Sequence, residues 1–317
     1  MTAPERTHDD VVPDQPVDRS MPGPRSSHLL PGVVRALRPK QWLKNVLVFA
    51  APVAAGVIRE GDVLSETLAA FAAFCLVSSG TYLLNDALDV ESDRLHPTKR
   101  HRPIASGAVP LVLAYPLAAV LVGSSLAIGF LTSRNLGLTL VAYLALTLAY
   151  SLRLKQVPIL DIIAVAAGFV LRAVAGGAAT GVPISEWFFI VASFGALFMV
   201  SGKRESEAAE LGIDAAGVRA TLGVYSPGFL AYLRAVSSGV VLVGYCLWAF
   251  SSADLTPDVG VWYQLSILPF AIAILRYALL IDQGKGAEPE NLVLSDHVLL
   301  AAAAVWAAVY GYAVYAG

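Results

Sequence analysis

The run Leu64–Leu84 closes as Thr81-Tyr82-Leu83-Leu84 and passes directly into Asn85-Asp86-Ala87-Leu88-Asp89-Val90-Glu91-Ser92-Asp93. Its apolar part is long enough to cross a bilayer core as a helix, which takes about 20 predominantly apolar residues. Its acidic part lies where that helix leaves the membrane. Asp86, Asp89 and Asp93 stand three and then four residues apart, a spacing that sets them along one helical face. Three carboxylates on one stripe repel one another, so a cation is expected among them. Carboxylate and amide oxygens suit Mg²⁺, which is usually held by a few carboxylates together with substrate phosphates. Asn85, Asp86, Asp89 and Asp93 are therefore the candidate metal ligands, and the three aspartates are the candidate catalytic residues.

Immediately downstream come Arg94, His96, Lys99, Arg100 and Arg102, ending in Arg102-Pro103-Ile104-Ala105-Ser106-Gly107. An acid-held metal beside several cations is what a diphosphate requires, because the metal bridges some phosphate oxygens and Arg or Lys neutralises the rest. The competing reading is a charged membrane flank whose acids pair with these bases.

The rest of the chain supports a polytopic, all-α membrane protein. Of its 317 residues, 56% are hydrophobic and 15% charged, and the mean hydropathy is +0.65. Nine segments read as spanning helices: 42–57, 64–84, 110–131, 136–152, 158–179, 185–202, 229–250, 261–280 and 298–316. The ends between them alternate in charge. Arg35, Arg38, Lys40, the cluster 94–102, Arg153, Lys155, Lys203, Arg204, Arg219 and Lys285 fall on one side, against Arg59 and Arg134 on the other. The positive-inside rule then sets the N-terminus and the acidic motif on the cytoplasmic side of the cell membrane. Residues 1–30, rich in Pro, Asp, Ser and Arg, read as a disordered cytoplasmic tail ahead of a single catalytic domain, 31–317. Cys75 and Cys246 lie in apolar runs, so neither a disulfide framework nor a transition-metal site is expected. No nucleic-acid partner is expected.

The segment Asn85–Asp93 resembles the first aspartate-rich motif of the UbiA superfamily of intramembrane prenyltransferases. Tyr150-Ser151-Leu152-Arg153-Leu154-Lys155, followed by Asp161, is similar to a second stretch of that superfamily. The resemblance implies a nine-helix bundle with a Mg²⁺–diphosphate site open to the cytoplasm. A narrower likeness, to the decaprenyl-phosphate phosphoribosyltransferases, is carried by Arg38-Pro39-Lys40-Gln41-Trp42-Leu43-Lys44-Asn45, His96-Pro97-Thr98-Lys99-Arg100, Gly202-Lys203-Arg204 and Glu288-Pro289-Glu290. It implies phosphoribosyl diphosphate (PRPP) as donor, a polyprenyl phosphate as acceptor and a place in the lipid-linked arabinose pathway of the cell wall (arabinogalactan and lipoarabinomannan precursors). Members of the superfamily carry a second acidic motif after the sixth helix. Here that stretch reads Ser201-Gly202-Lys203-Arg204-Glu205-Ser206-Glu207 and leads with positive charge, which suits direct binding of a further phosphate.

On this reading Lys44, Arg153, Lys155, Lys203 and Arg204 are candidate phosphate contacts, with Lys99, Arg100 and Arg102 beside them. Asn85 and Tyr150 are candidate substrate contacts, and Asp161 is expected to orient Lys155 or touch ribose. Arg172, inside an apolar helix, should face the bundle interior and pair with an acid or a phosphate. Asp282, Glu288, Glu290 and Asp296 are candidates for ordering the last cytoplasmic loop or for lining the site. Small residues such as Gly176 and Gly177 suit close helix packing, within the chain or in a homo-oligomer. Two other functions compete. One is prenyl transfer from a prenyl diphosphate to an aromatic acceptor, against which the missing second acidic motif counts. The other is secondary transport, against which the position of the acids at a helix end counts.

Overall fold

The computed structural model describes residues 29–211, 220–285, 292 and 295–316, and these are helical or in turns, with no strand among them. The expected tail lies outside the described residues except for Leu29 and Leu30, which open a short helix α1 (Leu29–Ala36). Glu288 and Glu290 also lie outside them.

A 3₁₀ helix, Pro39–Phe49, runs into α2 (Ala50–Ala54). Next come α3 (Val63–Leu88), α4 (Val90–Leu95), α5 (Leu111–Thr132), α6 (Arg134–Leu152), α7 (Leu160–Thr180) and α8 (Glu186–Leu211). The chain continues with α9 (Pro227–Leu255), α10 (Gly260–Leu265), α11 (Ile267–Asp282) and α12 (His297–Tyr315). Eight helical stretches among the described residues are long and apolar enough to cross a membrane, with α10 and α11 acting as one. The protein is an integral membrane protein.

The expectation of nine spanning α-helices is corrected at the first segment, 42–57. Proline at 39 and 52 and the left-handed backbone of Gly56 (φ 78°) leave no room for a long α-helix there. A 3₁₀ turn rises about 2.0 Å per residue against about 1.5 Å in an α-helix, so 39–54 still covers roughly 30 Å, about one hydrocarbon core. Runs of 3₁₀ helix this long are uncommon. This one lies in the groove between α3 and α7, where Val48 joins Phe74, Val77, Leu140 and Tyr143 in one buried cluster. Gly176 makes that fit possible, since a Cβ there would collide with the Val48 carbonyl oxygen and with Pro52.

Caps fix several helix starts. Ser133, Ser226 and Asp296 accept hydrogen bonds from the N–H groups of Leu136, Phe229 and Leu299, at 3.0, 3.1 and 2.9 Å, satisfying donors that a helix start leaves without partners. Helix α8 runs past Gly202 to Leu211, so Lys203 and Arg204 belong to a helix and not to the loop expected from the sequence. Polar side chains gather where α3 and α8 end and α7 and α9 begin, and one end of the bundle therefore carries the charge.

Candidate functional site

The acidic motif occupies the last turn of α3, its junction with α4, and α4 itself. The junction stays helical in its hydrogen bonds: Asp89 N–H reaches the Asn85 carbonyl at 3.0 Å and Asp93 N–H the Asp89 carbonyl at 2.8 Å. At about 100° per residue, Asp86 and Asp93 come within about 20° of each other around the axis, while Asp89 is turned about 40–60° away. The structure follows this division. Asp86 and Asp93 are each 2% exposed. Arg102 Nη1 donates to both, at 3.0 Å to Asp86 and 2.8 Å to Asp93. Arg38 Nη2 donates to the two oxygens of Asp86 at 2.7 and 2.8 Å. Arg38 takes a left-handed backbone (φ 54°) and sets its guanidinium 4.7 Å from the Tyr82 ring centroid. Asp86 and Asp93 thus sit within arginine pairs, as the charged-flank reading expected for the motif's acids, while Asp89 does not.

Asn85 and Asp89 face a cavity of about 520 Å³ instead. It lies between α3, α6, α7 and the 3₁₀ helix. Lys44, Lys99, Arg102, Tyr150 and Lys155 line it, together with Ser151, Tyr82 and Arg172. Two wall oxygens one helical turn apart stand opposite several cations. Among the described residues no group of three or more His, Cys, Asp or Glu side chains is placed to hold a metal alone. The donor set still fits Mg²⁺, which takes one or two carboxylates and completes its shell with water and substrate phosphates.

Other candidates lie elsewhere. Arg100 is exposed and directed at His101, and Arg153 is exposed at the end of α6. Neither is part of the cavity wall. Arg204 is buried, 2.7 Å from Glu207 and 3.4 Å from Asp161, and Lys203 lies 3.8 Å from Glu207. Neither is part of the cavity wall, and both lie on α8, which continues through them. Asp282 pairs with Arg234 at 3.4 Å, and Asp296 with Arg276 at 2.7 Å. The Arg276 guanidinium and the Leu299 N–H hold the Asp296 carboxyl down at about 2.

Asp161, fully buried in the first turn of α7, accepts from Thr221 Oγ1 at 3.1 Å and from the Tyr225 hydroxyl. The same hydroxyl accepts the Ile159 N–H at 2.5 Å. Ile159 adopts φ 70°, ψ −48°, close to a γ-turn that is strained for a β-branched residue. Burial, and then the bond to Asp161, push the Tyr225 phenol up to about 12. This network ties down the turn that follows Lys155, so Asp161 supports the cavity wall from behind. Sequence reasoning missed Thr221 and Tyr225, which carry no local signal. It also placed Arg38 only in the topology and in a motif of the family likeness, without its Asp86 partner, which is 48 positions away.

A second cavity, of about 490 Å³, is apolar and aromatic. Leu47, Ala54, Trp187, Ala192, Trp248 and Trp306 are among its lining residues. Its polar tips are bonded inward: Trp306 Nε1 donates to Tyr245 Oη at 2.7 Å, and Tyr310 Oη donates to the Ala54 carbonyl at 2.9 Å.

The pattern of the UbiA prenyltransferase family matches residues 46–295. The chain is 45% identical to the decaprenyl-phosphate phosphoribosyltransferase of Corynebacterium glutamicum, over 91% of this chain and 88% of that one. It is 46% identical to the protein of the same name from Mycobacterium tuberculosis, over 91% and 96%. Two solved structures of a UbiA homolog from Archaeoglobus fulgidus, bound to DMAPP and Mg²⁺ or to GPP and Mg²⁺, share its fold with TM-scores of 0.69 and 0.68. They are 20% identical and cover 90% of this chain, with 99% and 100% of their own lengths matched. With the family pattern over most of its length and an acid–amide pair on the wall of a cavity between its helices, this chain belongs to the UbiA prenyltransferase family.

Proposed function

We propose that this protein transfers the 5-phosphoribosyl group of PRPP to a polyprenyl phosphate, the decaprenyl form by analogy with its relatives, and releases diphosphate. The observation that carries the reading is a single cavity in which Asn85 and Asp89 face Lys44, Lys99, Arg102 and Lys155. That arrangement suits the diphosphate of a donor beside a second phosphate. The names of the relatives supply the substrate classes.

Asn85 and Asp89 would hold Mg²⁺, which when bound polarises the bond between the anomeric carbon and the diphosphate oxygen. Lys99 and Arg102 neutralise the departing diphosphate. Asp86 and Asp93 set the guanidinium of Arg102 in place, and Asp86 also sets that of Arg38. An oxygen of the lipid phosphate forms the new bond to the anomeric carbon as the bond to diphosphate breaks. A phosphate monoester has its second pKa near 6, so the acceptor is an anion at neutral pH and no side chain has to remove a proton. The isoprenoid tail is assigned to the apolar, aromatic cavity. The basic end of the bundle, and with it the acidic motif, is assigned to the cytoplasm by its Lys and Arg content.

The test is a transfer assay with purified protein, Mg²⁺, a polyprenyl phosphate and radiolabelled PRPP, with and without EDTA. Label is expected to enter the lipid phase only when Mg²⁺ is present. Consumption of a prenyl diphosphate with an aromatic acceptor, and no label in lipid, would replace this reading with ordinary prenyl transfer.

A further inference from the structure

Helix α7 lines the cavity with Ala164, Val165, Gly168, Phe169 and Arg172. From Ala164 to Arg172 the wall descends about 12 Å. Ala164 and Gly168 are its small residues, Val165 and Phe169 its apolar ones, and Arg172 its one charged side chain. Arg172 is the cavity residue furthest along α7, as Tyr143 is furthest back along α6, so together they mark the inner end.

The guanidinium is 6% exposed and tightly placed. Its Nε donates to Asn45 Oδ1 at 2.8 Å, Nη1 to the Gly168 carbonyl at 2.9 Å and Nη2 to the Tyr143 hydroxyl at 2.6 Å. Asn45 is itself fixed by Ser78 Oγ at 3.4 Å, and the Tyr143 ring lies 4.7 Å from the guanidinium carbon. Every one of these partners is neutral, and among the described residues no carboxylate forms an ion pair with Arg172. Of the two partners expected for it, an acid or a phosphate, no protein acid is in place. A guanidinium stays protonated at any physiological pH. A full positive charge at membrane depth, pre-oriented and without a counter-charge, costs stability unless an anion joins it. Each terminal nitrogen donates to one partner only, which leaves one N–H on each for an anion, and a guanidinium is suited to phosphate.

We infer that Arg172 is the anchor for a phosphate monoester at the inner end of the cavity. The inference rests on the phosphoribosyl-transfer reading, which brings two such groups to the site: the 5-phosphate of the donor and the phosphate of the lipid. Asn45 and Tyr143 are positioning residues for the guanidinium.

The experiment uses the full chain in detergent and compares wild type, Arg172→Gln and Arg172→Lys. Initial rates are measured with each substrate varied in turn, and melting shifts with ribose 5-phosphate and with farnesyl phosphate. Gln retains hydrogen bonding and removes the charge. It is expected to raise the KM of one substrate at least tenfold and to abolish the melting shift of the matching ligand, with Lys intermediate in both. A selective rise for PRPP identifies the ribose phosphate, and a selective rise for the lipid identifies the acceptor. If Arg172→Gln does not fold, Arg172→Lys carries the test through the same KM split. Unchanged KM values and ligand shifts in a folded variant would overturn the inference and leave Arg172 a structural clamp. A wild type without transfer activity would instead remove the functional reading, and the melting shifts would still report on the anion site.

Discussion

A single nitrogen of Arg38, Nη2, donates to both carboxylate oxygens of Asp86, at 2.7 and 2.8 Å, across 48 positions of sequence. With Arg102 on the other flank, Asp86 is enclosed by positive charge and turned away from the cavity that Asp89 enters. Two aspartates of one motif thus have different surroundings, and mutation should separate their effects.

Asp89→Asn is expected to lower turnover by at least about 100-fold and to raise the Mg²⁺ concentration needed, with little change in melting temperature. Asp86→Asn leaves two guanidinium groups without their shared counter-charge. Because both arginines are partly exposed, the loss should be about 1–3 kcal/mol, below that for a fully buried pair. Thermal melting with Mg²⁺ titrations of activity checks both. Identical behaviour of the two variants would contradict the division.

Tyr225→Phe removes the hydroxyl that serves Asp161 and the Ile159 N–H together. A buried carboxylate and a strained turn each lose a partner, at a cost of about 1–3 kcal/mol. Because that turn follows Lys155, the KM for PRPP should rise as well. A variant with wild-type melting and wild-type KM would show that the network does not support the cavity.

Acid should loosen the contact between α11 and α12. The Asp296 carboxyl, held at about 2 instead of its ordinary 3.8, stabilises the fold fully above that ordinary value. The contribution fades as pH falls through the folded value, because the unfolded chain then takes up the proton first. Melting followed from about pH 5 to about pH 2 should show this decline in the wild type and less of it in Asp296→Asn. Equal slopes would exclude the pair as its source.

Gly176→Ala should destabilise by about 1–3 kcal/mol, the usual range for overpacking. The new methyl meets the Val48 carbonyl and Pro52, and the 3₁₀ helix that carries Lys44 and Asn45 must shift. Activity should fall along with melting temperature. Full activity at an unchanged melting temperature would mean that this helix is looser against α7 than the packing indicates.

Ala192→Phe narrows the aromatic cavity. With the isoprenoid tail seated there, KM should rise for a long polyprenyl phosphate and stay unchanged for farnesyl phosphate. A uniform effect on both lipids would place the tail elsewhere.

Much of this was legible in the residues. The apolar runs gave eight spanning stretches, because a hydrocarbon core demands continuous apolar length whatever the neighbours do. The ninth failed as an α-helix because proline and a short span override hydropathy. Asn85, Asp89, Lys44 and Lys155 were expected in the site and line the cavity. Lys203 and Arg204, expected as phosphate contacts, lie on α8 outside the cavity lining, with Arg204 3.4 Å from Asp161.

Taken alone, the sequence settles membrane residence, helical class and the chemistry of an acid-and-base site, since composition and spacing are local properties. Tertiary structure decides which aspartate faces the cavity, what Arg172 meets, and that Tyr225 bonds the turn after Lys155. Each of these depends on the rotation of a helix about its axis and on partners tens of residues away, which local spacing does not encode.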